Sequence, residues 1–302
     1  MVLIDTDPGT DDAIALLMAL GPGAPLEVGG LTTVGGNARL ADATRNALAV
    51  LEYLDRGDVP VARGASRPLR GSYPYAYGFH GPRGLTVRLP EPTITTQDGD
   101  AVDFLQRNLR SRSSQTTLLA LGPLTNVARL LRADPDAPSL VSRLVVMGGA
   151  VGVPGNVTPH AEFNFHSDPE AAGEVLASGI ETTLVDLRVC RQAAISRDGA
   201  TRLLAGGPAA RLAGGILLGW FQRNPGRDAY ELCDPVAMAA LLDPGILRTR
   251  RGSVEVETCD QDRLGESTLT PGPGPVMVST ELDGKRFFDL FYRTLGAPAF
   301  DP

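Results

Sequence analysis

Four carboxylates fall within eight residues near the N-terminus, in Leu3-Ile4-Asp5-Thr6-Asp7-Pro8-Gly9-Thr10-Asp11-Asp12-Ala13, and no Lys or Arg precedes Arg39. Acids this close repel and raise one another's pKa values unless a cation sits among them. Hard oxygen donors at this density suit Ca²⁺ or Mg²⁺. The run follows an apolar start that reads as a strand, and Pro8-Gly9 makes a tight turn that lets Asp7 and Asp12 converge on one ion. The stretch predicts a metal-centred site at the carboxyl end of a first strand. The positive end of the next helix would face the acids. The plainer alternative is a helix start carrying solvated acids.

Four further segments sit at predicted strand ends, where open α/β sheets bind ligands. Thr33-Val34-Gly35-Gly36-Asn37 places an Asn where it could bond a ligand, although Gly-Gly-Asn is also turn chemistry. In Leu121-Gly122-Pro123-Leu124-Thr125-Asn126 a strand-end carbonyl could complete a hard-metal shell, although Gly-Pro also simply opens helices. Gly155-Asn156, with Glu162 and Asn164 alternating with Phe163 and Phe165, could form a polyol-binding edge. Asp168-Pro169 and Asp234-Pro235 each read as a helix start, with Asp as N-cap.

The elements that must position these residues alternate, short apolar runs with helical patterns, as in a parallel sheet with crossover helices. Strands are predicted at Val2–Asp5, Leu26–Val34, Thr116–Leu121, Leu144–Met147, Thr182–Val185 and Val276–Ser279. Helices are predicted at Asp11–Leu20, with Thr10 as N-cap, and at Ala41–Leu54, Leu124–Arg132, Pro169–Ser178, Pro235–Leu242 and Gly284–Leu295. Arg67–Pro92 reads as a long loop able to act as a lid, Asp262–Pro275 as an exposed loop, and Ala205–Arg227 as an interrupted helix. The expectation is one α/β domain over residues 1–302 with a mainly parallel open sheet.

The net charge is −7 with no basic block, which argues against nucleic acid or anionic membrane as a partner. Cys190, Cys233 and Cys259 form no CxxC pair, so neither a disulfide framework nor a thiolate zinc site is expected. With no leader pattern and no membrane-spanning run, a cytoplasmic location is expected.

Together these pieces resemble the nucleoside hydrolase family, metal-dependent enzymes that cleave the N-glycosidic bond of ribonucleosides. The likeness rests on the Asp5–Ala13 run, Met147-Gly148-Gly149, Ala161-Glu162-Phe163-Asn164 and Asp234-Pro235 in that order, and covers residue 2 to about 240. It implies a Rossmann-like nucleoside hydrolase fold and a Ca²⁺ held by Asp7, Asp12, Asp234 and the Leu121 carbonyl. Asp7 would accept the proton of a water, held at the metal, that attacks the anomeric carbon. Asp11, Asn37, Asn156, Glu162 and Asn164 would hold the ribose, beside Met147 and a wall formed by Phe163. His80 resembles a family His near the leaving base. Cys233 departs from members that carry His before the last metal Asp, so their base preference does not carry over; another branch has Cys here. The resemblance also implies a small ribonucleoside as substrate and a homodimer or homotetramer.

Two rivals remain. A phosphatase of the haloacid dehalogenase type also opens on a strand and DxD, but Gly9 stands where that family has Thr or Val. A Ca²⁺-dependent nucleoside or pentose binder without turnover finds support only in Cys233.

Overall fold

The computed structural model describes residues 1–111 and 116–299. The first strand, β1 (Val2–Thr6), is buried along its whole length. Val2 and Ile4 face one apolar core and Leu3 the other, as the two-residue period of a strand requires when both faces are covered. The remaining strands are β2 (Val28–Thr33), β3 (Val61–Arg63), β4 (Thr116–Ala120), β5 (Val141–Met147), β6 (Thr182–Val185), β7 (Ala194–Ser196), β8 (Ala229–Glu231), β9 (Leu247–Val256), β10 (Ser267–Pro271) and β11 (Val276–Leu282). Nine of them form one sheet in the order β10-β9-β11-β6-β5-β4-β1-β2-β3, and β7 pairs with β8. Within the nine-stranded sheet all neighbours are parallel except those of β9, which runs against both β10 and β11, and the β7–β8 pair is antiparallel. The chain moves outward from β1 through β2 and β3, then returns to place β4 on the other side of β1. That reversal opens a crevice beyond the carboxyl ends of β1 and β4.

The helices nearest the acidic turn in the first part of the chain are α1 (Thr10–Leu20), α2 (Leu40–Tyr53) and the short α3 (Tyr77–His80). The N-cap of α1 is Gly9, not Thr10, because the Asp12 carboxylate folds back to accept the Gly9 N–H at 3.1 Å. The Ala205–Arg227 region contains an unbroken helix, Pro208–Arg223, rather than an interrupted one. Gly219 there gives close approach: a Cβ would press on Thr86 at 3.0 Å. Arg67–Pro92 holds α3 and a 3₁₀ turn at Pro82–Gly84, and Asp262–Pro275 includes β10. The predicted elements omit β3, β9 and the helix Ala101–Ser111. β9 is mostly polar and half-exposed near the sheet edge, so it lacks the apolar run by which the inner strands are recognised.

Candidate active site

The turn after β1 packs its acids by hydrogen bonds drawn from four directions. Asp12 accepts from Thr6 Oγ1 at 2.6 Å, the Asp7 N–H at 3.2 Å, the Gly9 N–H and Asn37 Nδ2 at 3.0 Å. The Asn37 N–H donates to Asp7 Oδ2 at 2.5 Å, which brings the loop after β2 onto the loop after β1. Asp7 is fully buried, yet its Oδ1 has no hydrogen-bond partner. Gly36 and Gly122 make its space, since a Cβ on either would strike the Asp7 carboxylate. Across the crevice Asp234, in the first turn of the helix Cys233–Leu242, faces the loop rather than capping its own helix. Asp11, Asp12 and Asp234 each bring an oxygen within 4.8 Å of the others. Asp11 is thus a full member of the acidic cluster as well as a pocket-lining residue.

Burial pushes Asp7, Asp11 and Asp234 upward, and mutual repulsion with Asp12 adds to it; Asp11 reaches about 7. None of these acids forms an ion pair with Arg or Lys among the described residues. A buried carboxylate oxygen without a partner, beside three more acids, fits a hard divalent cation. One consequence concerns stability. A carboxyl whose folded pKa is raised keeps its proton while the unfolded chain releases it, so the metal-free chain should lose thermal stability as pH rises from about 4 to 7. Asp5, raised to about 7 by burial, adds to the trend. A saturating cation should flatten that slope. Melting curves across this range, with and without chelator, test it; equal slopes would mean that no cation relieves the cluster.

Above the cluster lies a pocket of about 600 Å³ that collects the other predicted residues: Asp11, Asn37, His80, Leu121, Met147, Asn156, Glu162, Phe163, Asn164, Cys233 and Asp234 all line it, while Asp7 and Asp12 lie beneath. Several have a structural duty as well. Asn164 Nδ2 donates to the Leu121 carbonyl at 2.7 Å and the Met147 carbonyl at 3.2 Å, so one lone pair of Leu121 O is already engaged and one remains. Glu162 caps the short helix Phe163–Ser167, accepting from the Asn164, Phe165 and Gly149 N–H groups; burial nevertheless raises it to about 7. Asn156 is exposed at the mouth and its Oδ1 holds the Phe163 N–H at 3.0 Å. Asp168 does cap its helix, as read, accepting from the Ala171 N–H at 3.2 Å.

His80 is buried, and its Nδ1 accepts the Thr10 N–H at 3.0 Å. Burial lowers its pKa to about 4, against the opposing pull of Asp12. The ring is therefore neutral, with its proton on Nε2. The Cys233 thiol lies beside Cys190, and that neighbour together with burial pushes it well above its ordinary value. It stays a neutral thiol at neutral pH. The far wall is aromatic. Phe79, half-exposed, sits 5.4 Å from Trp220 and 5.9 Å from Tyr230, ring centre to ring centre, and those two are 4.8 Å apart. Trp220 Nε1 is buried in this wall without a hydrogen-bond partner, and the buried Tyr230 hydroxyl faces the Asp11 carboxyl. The sequence marks this region only loosely, because the wall joins two distant segments.

An acidic centre able to hold a divalent cation, beneath a pocket at the switch point of a parallel sheet, defines an α/β enzyme acting on a small polar ligand. The profile of the inosine-uridine preferring nucleoside hydrolase family matches residues 2–289, and the chain belongs to that family. It is accordingly a nucleoside N-ribohydrolase, whose reaction releases ribose and a free base. Uridine nucleosidase 1 of Arabidopsis thaliana is 40% identical over 263 residues, 85% of this chain and 78% of that protein. The pyrimidine-specific ribonucleoside hydrolase RihA of Salmonella paratyphi A is 38% identical over 305 residues, 97% of each chain. A plant nucleoside hydrolase structure superposes with a TM-score of 0.89 at 33% identity, covering 98% of this chain and 99% of that one.

Proposed function

We propose that the chain is a Ca²⁺-dependent hydrolase of pyrimidine ribonucleosides, with uridine its preferred substrate. The observation that carries the reading is the unpartnered Asp7 Oδ1 among four buried or half-buried acids on the pocket floor. Asp7, Asp12, Asp234 and the free lone pair of the Leu121 carbonyl would hold Ca²⁺. When bound, the ion supplies charge that orients the ribose diol and makes a nearby water more acidic. Asp7 then accepts the proton of the water that attacks the anomeric carbon. Asp11 and Asn37 stand at the floor to hold ribose hydroxyls, while Asn164, Glu162 and Asn156 line the remaining edge. As the C–N bond breaks, positive charge grows on the sugar and the acidic floor stabilises it.

The base then lies against Phe79, Trp220 and Tyr230. An indole N–H only donates, so the orphaned Trp220 Nε1 would pair with a carbonyl acceptor, which uracil supplies, as hypoxanthine and guanine also do. Neutral His80 donates from Nε2 to the departing base without transferring a full imidazolium proton. The two relatives named for uridine and pyrimidine specificity support the same choice. A cytoplasmic homodimer or homotetramer completes the proposal.

The test is base release from uridine, cytidine, inosine, adenosine and guanosine, each with and without a calcium chelator. Chelator-sensitive release, fastest from uridine, is expected. A purine ahead of uridine would overturn the pyrimidine preference. Calcium-dependent binding with no release from any of the five would leave a binding protein instead.

A further inference from the structure

The turn that carries the acids and the segment that carries His80 are joined by one side chain outside the pocket floor. Asn46 lies in α2 and is fully buried. Its Nδ2 donates to the Pro8 carbonyl at 3.0 Å and to the Arg83 carbonyl at 2.8 Å. Pro8 follows Asp7 directly, and Arg83 stands three residues after His80. The amide orientation follows from chemistry. Arg45 donates to Asn46 Oδ1 at 3.2 Å, and only an NH₂ group can satisfy two carbonyls at once. Arg83 has φ 58°, a left-handed conformation that is unfavourable for a non-glycine residue and persists only where its surroundings hold it. The bond from Asn46 to the Arg83 carbonyl is one such hold. A second link between the same two segments is the Thr10 N–H on His80 Nδ1.

We infer that Asn46 is a positioning residue for His80: it fixes the spacing between the acidic turn and the segment that carries His80, and so the place of the imidazole over the pocket. The inference rests on the reading that His80 meets the leaving base. No other residue type offers both donors in this volume. Aspartate keeps the shape and the acceptor toward Arg45 but loses both donors. Alanine loses both as well, without adding a charge.

The experiment pairs two readouts on Asn46→Asp and Asn46→Ala. The first is the ¹H–¹⁵N imidazole spectrum of the calcium-loaded protein, with the His80 signals assigned by His80→Ala. In the intact protein the His80 pattern should be that of the neutral Nε2–H tautomer. Either variant that folds should shift the His80 signals and leave those of His160 and His166 in place. Unchanged His80 signals would overturn the inference, whatever the turnover. The second readout is a double-mutant cycle on uridine cleavage. Each Asn46 variant should lower kcat by about ten- to a hundredfold, the scale of a small misplacement. Combined with His80→Ala, it should add almost nothing. Multiplicative losses, or a fall in Ca²⁺ affinity matching the fall in kcat, would make Asn46 a support for the acidic turn alone. The spectrum decides the link without turnover, so an inactive wild type would count against the proposed reaction and not against this inference.

Discussion

Asp7→Asn should lower kcat on uridine by on the order of 10⁴-fold, the upper range for removing a positioned general base. The amide retains the volume of the acid and can still accept the Asn37 N–H, so the loop after β2 stays in place. It cannot take a proton from water, and it offers the cation a weaker ligand. The loss corresponds to about 5.5 kcal/mol of transition-state stabilisation. Steady-state kinetics at saturating Ca²⁺ separate the two effects, because excess cation restores occupancy without restoring the base. A loss smaller than tenfold under those conditions would exclude Asp7 as the base and leave it a ligand only.

Removing one substrate hydroxyl should be nearly as costly. We expect kcat/KM for 2′-deoxyuridine to lie on the order of 10⁴-fold below that for uridine. A site built to bond a hydroxyl rejects the analogue that lacks it, since the buried polar groups are then left without partners. The floor of this pocket is of that kind: Asp12 is fully buried, Asn37 nearly so, and Asp11 is raised to about 7 by burial and by Asp12. Side-by-side progress curves for the two nucleosides decide the point. Efficiencies within tenfold of each other would mean that the acidic floor does not read the 2′ position.

Much of the architecture was legible locally. The strand Thr182–Val185 and the helix Gly284–Leu295 have the bounds their periodicity predicts, and the first strand is only one residue longer. The helix Ala101–Ser111 is absent from the predicted elements, although Ala101, Phe104, Leu105 and Leu109 lie at helical spacing on its buried face. The amphipathic strand β9 is harder, because its stability comes from pairing with β10 and β11, which lie later in the chain. The glycines of Pro208–Arg223 suggest breaks, yet tertiary packing overrides propensity there and Gly219 admits Thr86 against the helix.

The sequence by itself determined that Asp7, Asp11 and Asp12 would lie together at the end of a first strand, because spacing over six residues is a local property, whereas Asp5 turns to Thr32 and Asn126 and Asp234 joins only through the tertiary fold. It also determined the order of the segments that line the pocket. The tertiary structure alone decided which polar atoms remain free for a ligand. Asn126 reaches Asp5 across 121 positions, and Asn164 reaches the Leu121 carbonyl across 43. Asp7 Oδ1 and Trp220 Nε1 are left without partners. Whether a buried group is satisfied depends on neighbours brought together by packing, and such long-range pairings leave no trace in the periodicity of one segment.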